Sequence, residues 1–171
     1  MEEKNYKEKL KDITTFIFDV DGVFTNTQVF VNNDGDLLRS MNMKDGFALK
    51  TAVAKGYTIC IITGGGNVGV QKRFENLGVT DIYMLRHEKL ETFLEYQKSK
   101  GLKTEQILYM GDDIPDIPPM KHSGLATCPQ DAVPEVKAVA HYISHRDGGQ
   151  GAVRDVIEQV LKARGDWFDF N

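Results

Sequence analysis

The chain has 171 residues, 41% of them hydrophobic, enough for one domain with a full core. Its 21 basic and 25 acidic residues leave a net charge of −4, which argues against nucleic acid and anionic membrane as bulk electrostatic partners. No apolar run reaches the length of a membrane span, and residues 1–10 are charged where a signal peptide would be apolar, so a cytoplasmic protein is expected. Cys60 and Cys128 each sit in an apolar, strand-like run and read as buried free thiols.

Residues 1–12 read as a polar helical lead-in. The first strand is 13–20, short, β-branched and aromatic, and it carries Asp19 and Asp21 to its carboxyl end. A hairpin follows, with arms at 28–31 and 37–41 around the turn Asn32-Asn33-Asp34-Gly35. Lys44-Asp45-Gly46 then precedes a helix over 47–56 that Gly56 closes. The second strand, 57–63, ends at Thr63 before Gly64-Gly65-Gly66, and a helix over 67–77 ends at Gly78. A short third strand, 81–85, leads to His87-Glu88-Lys89. The helix over 88–100 sets Leu90, Phe93 and Leu94 on one face and stops at Gly101. The fourth strand, 106–110, ends in Gly111-Asp112-Asp113, and two further short strands are expected at 124–127 and 141–144. The last helix, 151–164, spaces Val153, Val156, Ile157, Val160 and Leu161 for one buried face.

Strands alternating with helices build right-handed βαβ units. The expected fold class is α/β: one doubly wound domain over 1–171 with a mostly parallel, Rossmann-like sheet, a β-hairpin insertion at about 26–42 and a tail at about 165–171. Ligands bind such sheets beyond the carboxyl ends of the strands, where the strand order reverses.

The suspicious polar residues lie at those strand ends. Asp19 and Asp21 leave an extended strand on the same face, and two like charges so close need a cation or a shared proton. Alone the pair reads equally well as a polar turn. It is joined, however, by Thr63, by Lys89, and by Asp112, Asp113 and Asp116. Hard carboxylate oxygens suit Mg²⁺, and a hydroxyl, an ammonium and glycine-loop amides suit a phosphoryl group. One aspartate can attack phosphorus to form an aspartyl phosphate, and the second can protonate the leaving oxygen and then take a proton from water.

These pieces resemble the haloacid dehalogenase-like phosphohydrolase superfamily. The similar motifs are Asp19-Val20-Asp21-Gly22-Val23, Ile61-Ile62-Thr63-Gly64, Lys89, and Gly111-Asp112-Asp113-Ile114-Pro115-Asp116, in that order. The resemblance implies Asp19 as nucleophile and Asp21 as general acid/base. It implies Thr63, Gly64 and Lys89 on the phosphoryl group, and Mg²⁺ on Asp19, the Asp21 carbonyl and Asp112. Asp116 would support the metal site, with Asp113 in either role. The stretches between motifs leave no room for a cap domain, so a macromolecular substrate or a neighbouring subunit would cover the open site. The hairpin has an edge that can pair between subunits.

Within the superfamily the chain is most similar to the capless 3-deoxy-D-manno-octulosonate 8-phosphate phosphatase family. The similarity rests on Asp19–Thr25 as a run, Met43-Lys44-Asp45-Gly46, Tyr109-Met110-Gly111-Asp112-Asp113, and Gly148-Gly149-Gln150-Gly151-Ala152-Val153-Arg154. It implies a phosphatase of a small phosphorylated keto-sugar acid, a homotetramer in which a neighbour's tail helps close the site, and a place in lipopolysaccharide biosynthesis. The sibling activity is on nine-carbon keto-sugar acids. The chain departs from the family where arginine, a variable residue and serine usually follow the second motif, since the segment here is Gly64-Gly65-Gly66-Asn67-Val68-Gly69. Arg73 and Lys72 on the next helix are then the candidate charges for a substrate carboxylate. His87 reads as a surface or substrate-edge residue, the glycines at 148–151 as a substrate shield or an irregular helix start, and Arg154 as a substrate, subunit or surface residue. Trp167, Phe168 and Phe170 form an aromatic tail, either free or docked on a neighbour. A phospho-acceptor domain of the receiver type and a non-catalytic scaffold are the rival readings.

Overall fold

The structure, a computed structural model, describes residues 5–168. Among these residues eight strands follow in order: β1 Thr15–Phe18, β2 Phe30–Val31, β3 Leu37–Leu38, β4 Thr58–Ile62, β5 Asp81–Tyr83, β6 Ile107–Met110, β7 Leu125–Cys128 and β8 Tyr142–Ile143. Six of them form one sheet in the order β5-β4-β1-β6-β7-β8, and every neighbouring pair in it is parallel. The order runs one way from β1 to β4 and β5, and the other way to β6, β7 and β8. The switch point therefore lies at the carboxyl end of β1, between β4 and β6.

The helices are α1 Tyr6–Lys9, α2 Met43–Ala54, α3 Val68–Asn76, α4 Lys89–Lys100, α5 Ile117–His122, α6 Pro134–Lys137 and α7 Ala152–Arg164. Alternation along β1 divides the core. Phe16 and Phe18 face Leu49 of α2, Phe74 of α3, and Val153, Val156 and Ile157 of α7. Ile17, with Cys60 and Ile62 of β4, faces Phe93 and Tyr96 of α4 and Met120 of α5. All these side chains are buried, and both cysteines are free and buried. Both faces of the sheet are thus covered by helices, which is why the inner strands β1, β4, β6 and β7 are buried nearly throughout rather than alternating. No helix among the described residues is long and apolar enough to cross a membrane.

The differences from the expected elements have local causes. α2 begins at Met43, not after Gly46, because the Asn42 side chain caps it, accepting from the Lys44 amide at 2.8 Å. Asp45 is then inside the helix, buried, and it accepts from the Arg154 amide at 2.8 Å, capping the start of α7. The hairpin arms pair over only two residues each, Phe30 with Leu38 and Val31 with Leu37, around a turn tied by the Asn32 side chain. Two short helices, α5 and α6, were not expected; both carry proline in the first turn, a start signal that lies in the sequence. The tail turns back on its own chain. Trp167 packs against the core, Phe168 stacks on Phe47 with ring centroids 5.8 Å apart, and the Arg154 guanidinium lies over both Phe47 and Trp167. Phe170 lies outside the described residues.

Candidate active site

β1 and β6 pair in register through Phe18 and Met110, and the Asp19 amide continues the ladder by donating to the Met110 carbonyl at 3.1 Å. Asp19 thus comes to lie beside the loop that carries Asp112. Lys89 opens α4 and is buried, with Nζ 3.0 Å from Asp19 Oδ1 and 2.7 Å from Asp116 Oδ1. Asp116, also buried, accepts from the Tyr109 hydroxyl at 2.8 Å and from the Asp112 and Asp113 amides at 3.3 and 3.4 Å. Asp113 accepts from the Ile114 amide at 2.8 Å and starts the 3₁₀ turn that presents Asp116.

One oxygen from each of Asp19, Asp112 and Asp116 lies within 4.8 Å of the others. Asp19 and Asp116 share the ammonium of Lys89, and with all three acids ionised the cluster carries two net negative charges, the complement of a divalent cation. Burial and the neighbouring Asp116 push Asp19 up to about 7 against the pull of Lys89. Burial, then Asp19 and Asp116, push Asp112 up to about 8. Burial draws Lys89 down, but Asp19 and Asp116 outweigh it and hold the ammonium above its ordinary value. Asp112 Oδ1 is buried with no hydrogen-bond partner. Of the three acids, Asp116 is already committed to Lys89, Tyr109 and two amides. Asp19 and the orphaned Asp112 oxygen are the ones that fit Mg²⁺, a hard cation that takes few carboxylates.

A cavity of about 430 Å³ opens over these groups, lined by Asp19, Asp21, Thr63, Gly64, Lys89 and Asp112 among others. Asp21 reaches it from two residues beyond Asp19, but its carboxylate is gripped by Arg39, with Nε 2.6 Å from Oδ1 and Nη2 3.0 Å from Oδ2. Gly22 has φ +84°, and a side chain there would collide with the Asp112 carboxylate. The Thr63 hydroxyl accepts from the Gly65 amide at 3.1 Å. The three glycines that follow are each roofed by a neighbour: Gly64 by His87, Gly65 by Asp21 and Arg39, Gly66 by Leu85.

Arg73 is not brought to the cavity. Its Nη2 lies 3.5 Å from Met43 Sδ, and a Cβ on Gly46 would run into its guanidinium. Val70 and Phe74 are the buried positions of α3, and Arg73 beside them points along α2 instead. The glycine segment 148–151 is also not over the site. The Gly149 amide donates to the Val23 carbonyl at 2.9 Å, and a side chain on Gly148 would strike the Gly22 carbonyl. The segment braces the loop that carries Asp21. Nothing in the sequence marks Arg39, which lies in an exposed hairpin 18 residues from its partner, and Tyr109 carries the family similarity without a role of its own until Asp116 folds beneath it.

A strand-end aspartate paired with a lysine, beside a second aspartate at the switch point of a parallel sheet, is the arrangement of a phosphoryl-handling hydrolase. Residues 78–157 match the haloacid dehalogenase-like hydrolase family. Over 157 residues the chain is 34% identical to the 3-deoxy-D-manno-octulosonate 8-phosphate phosphatase of Salmonella typhi, covering 92% of this chain and 84% of that one. The corresponding phosphatase of Yersinia pestis superposes with a TM-score of 0.92 at 31% identity, covering 95% and 88% of the two chains. That of Moraxella catarrhalis, solved with magnesium ion, phosphate ion and KDO, superposes with a TM-score of 0.90 at 31% identity, covering 94% and 92%. The chain belongs to the 3-deoxy-D-manno-octulosonate 8-phosphate phosphatase family of the haloacid dehalogenase-like hydrolases. It is a phosphatase, which sets aside the receiver-type and non-catalytic readings.

Proposed function

We propose that the protein is a Mg²⁺-dependent phosphatase that releases phosphate from 3-deoxy-D-manno-octulosonate 8-phosphate through an aspartyl phosphate. The observation that carries this is the trio of Asp19, Lys89 and the unpartnered Asp112 oxygen at the switch point, in a chain whose relatives act on that substrate. Thr63, the Gly64 amide and Lys89 hold the phosphoryl oxygens. An Asp19 carboxylate oxygen attacks phosphorus as the bond to the sugar oxygen breaks, and Asp21 gives that oxygen its proton. Asp21 then takes a proton from water, whose oxygen attacks phosphorus and releases Asp19. Asp19, Asp112 and the Asp21 carbonyl would hold Mg²⁺, which would supply positive charge to the crowded anions.

A homotetramer in the cytoplasm is part of the proposal. It is supported by the apolar hairpin, where Phe30 is 72% and Val31 66% exposed, and by two buried cysteines that form no disulfide. A nine-carbon keto-sugar acid phosphate is the second reading, favoured by the side-chain-free loop at Gly65 and Gly66, which leaves the sugar end less defined. Phosphate release with Mg²⁺ across eight- and nine-carbon keto-acid phosphates and neutral sugar phosphates tests both. Selective hydrolysis of the eight-carbon acid supports the first reading; selective hydrolysis of a nine-carbon acid replaces it with the second.

A further inference from the structure

The cavity has an uneven charge distribution. Its acids cluster at the carboxyl ends of the central strands β1 and β6, and of its cations Lys89 is consumed by Asp19 and Asp116. Arg39, close by, is consumed by Asp21. Among the described residues that leaves Arg86, exposed at the rim and in no hydrogen bond or ion pair through its side chain, with the His87 ring next to it over Gly64.

Arg86 is also held in place by its backbone. Leu85 is the one non-glycine residue with positive φ, +57°, among the described residues, a conformation that leucine rarely adopts. Its amide donates to the Gly65 carbonyl at 3.2 Å, and the Arg86 amide donates to the Thr63 carbonyl at 2.8 Å. Its side chain lies over Gly66, where a Cβ would be too close to it. An outlier locked by surrounding contacts at a site's rim is a pointer to function. Here the left-handed turn tilts the chain after β5 so that residues 86 and 87 line the cavity, tied to the same residue, Thr63, that faces the phosphoryl position. Gly65 and Gly66 carry no side chain that could compete for this edge.

We propose that Arg86, assisted by His87, is the specificity-determining residue that binds the substrate's second anionic group, its carboxylate, while Lys89 and Thr63 hold the phosphate. This deepens the proposed function and rests on it, since only a substrate charged at both ends needs the second site. A guanidinium offers a carboxylate two parallel donors, which a lysine cannot.

The test compares Arg86→Ala and Arg86→Lys with wild type on 3-deoxy-D-manno-octulosonate 8-phosphate and on p-nitrophenyl phosphate, which has no carboxylate. For the keto acid, Arg86→Ala should raise KM by at least about tenfold with kcat little changed, and Arg86→Lys should recover part of the loss. For p-nitrophenyl phosphate, kcat/KM should stay within about twofold of wild type in both variants. Arg86 is exposed, so the variants should keep the wild-type melting temperature. Wild type that prefers the keto acid, with the preference intact in Arg86→Ala, overturns this inference alone. Equal losses on both esters overturn it too, since they assign Arg86 to the phosphate. Wild type with no preference for the keto acid overturns the proposed function and this inference together.

Discussion

Arg39 donates from Nε and Nη2 to the two carboxylate oxygens of Asp21, at 2.6 and 3.0 Å, and its Nη1 donates to the Leu37 carbonyl at 2.8 Å. One side chain therefore joins the exposed hairpin to the proposed general acid/base. Such paired, charge-assisted bonds are among the stronger polar contacts a partly exposed site can make.

Cutting that joint should affect both ends. Arg39→Ala should lower kcat by about tenfold with a smaller change in KM, because Asp21 loses its fixed orientation. Proteolytic cleavage within 28–41 should speed up at the same time. Arg39→Lys should restore less than half of the rate, since a single ammonium cannot copy the fork. Unchanged kcat in Arg39→Ala would make the contact a surface ion pair of no catalytic weight.

The acids fix the pH response of the metal-free protein. Asp19 at about 7 and Asp112 at about 8 hold protons more tightly folded than unfolded, where the ordinary value is 3.8. Raised carboxyl values stabilise the protonated fold, so this contribution is present at low pH and is lost as pH rises towards 8. Chelated protein should therefore melt at a lower temperature at about pH 8.5 than at about pH 6. Mg²⁺ at a hundred times its Kd should raise the melting temperature by about 5–10 °C at the higher pH. Asp112→Asn should lose most of that gain and melt higher than wild type when both are metal-free. A melting curve indifferent to Mg²⁺ at both pH values would contradict the cation assignment.

Gly148 tests the bracing of the Asp21 loop. A methyl group there would meet the Gly22 and Thr25 carbonyls, which are backbone and cannot swing aside. Gly148→Ala should cost about 1–3 kcal/mol of stability, as overpacking does, and lower activity through the displaced loop. Gly35→Ala is the control, with φ +83° but open space around it. It should cost about 1–2 kcal/mol through the left-handed backbone alone and leave turnover unchanged. Equal activity losses in the two variants would show that the brace does not matter.

What could be read from the sequence was what depends on neighbours along the chain. The apolar run before Asp19, the turn chemistry after each helix and the buried stripe of α7 are all local periodicities. The meeting of Asp19, Lys89 and Asp112 is legible only through the family resemblance, which assigns all three, each at a strand end or helix start, to one site. What could not be read depends on distant partners. Asp45 looks like a turn residue until Arg154, 109 positions away, offers it an amide. Arg73 looks like a substrate charge until Gly46 opens a slot for it on α2. Arg39 has no sequence neighbour that marks it, and Leu85 reads as the end of a strand rather than a left-handed turn.

The most direct test of the account is the turnover of Asp19→Asn on 3-deoxy-D-manno-octulosonate 8-phosphate with Mg²⁺ at saturating substrate. With the nucleophile removed and the shape kept, kcat should fall by at least about ten-thousandfold while the melting temperature holds or rises. Near-wild-type turnover by Asp19→Asn, in a preparation shown free of host phosphatase, would contradict Asp19 as the attacking group and with it the proposed chemistry.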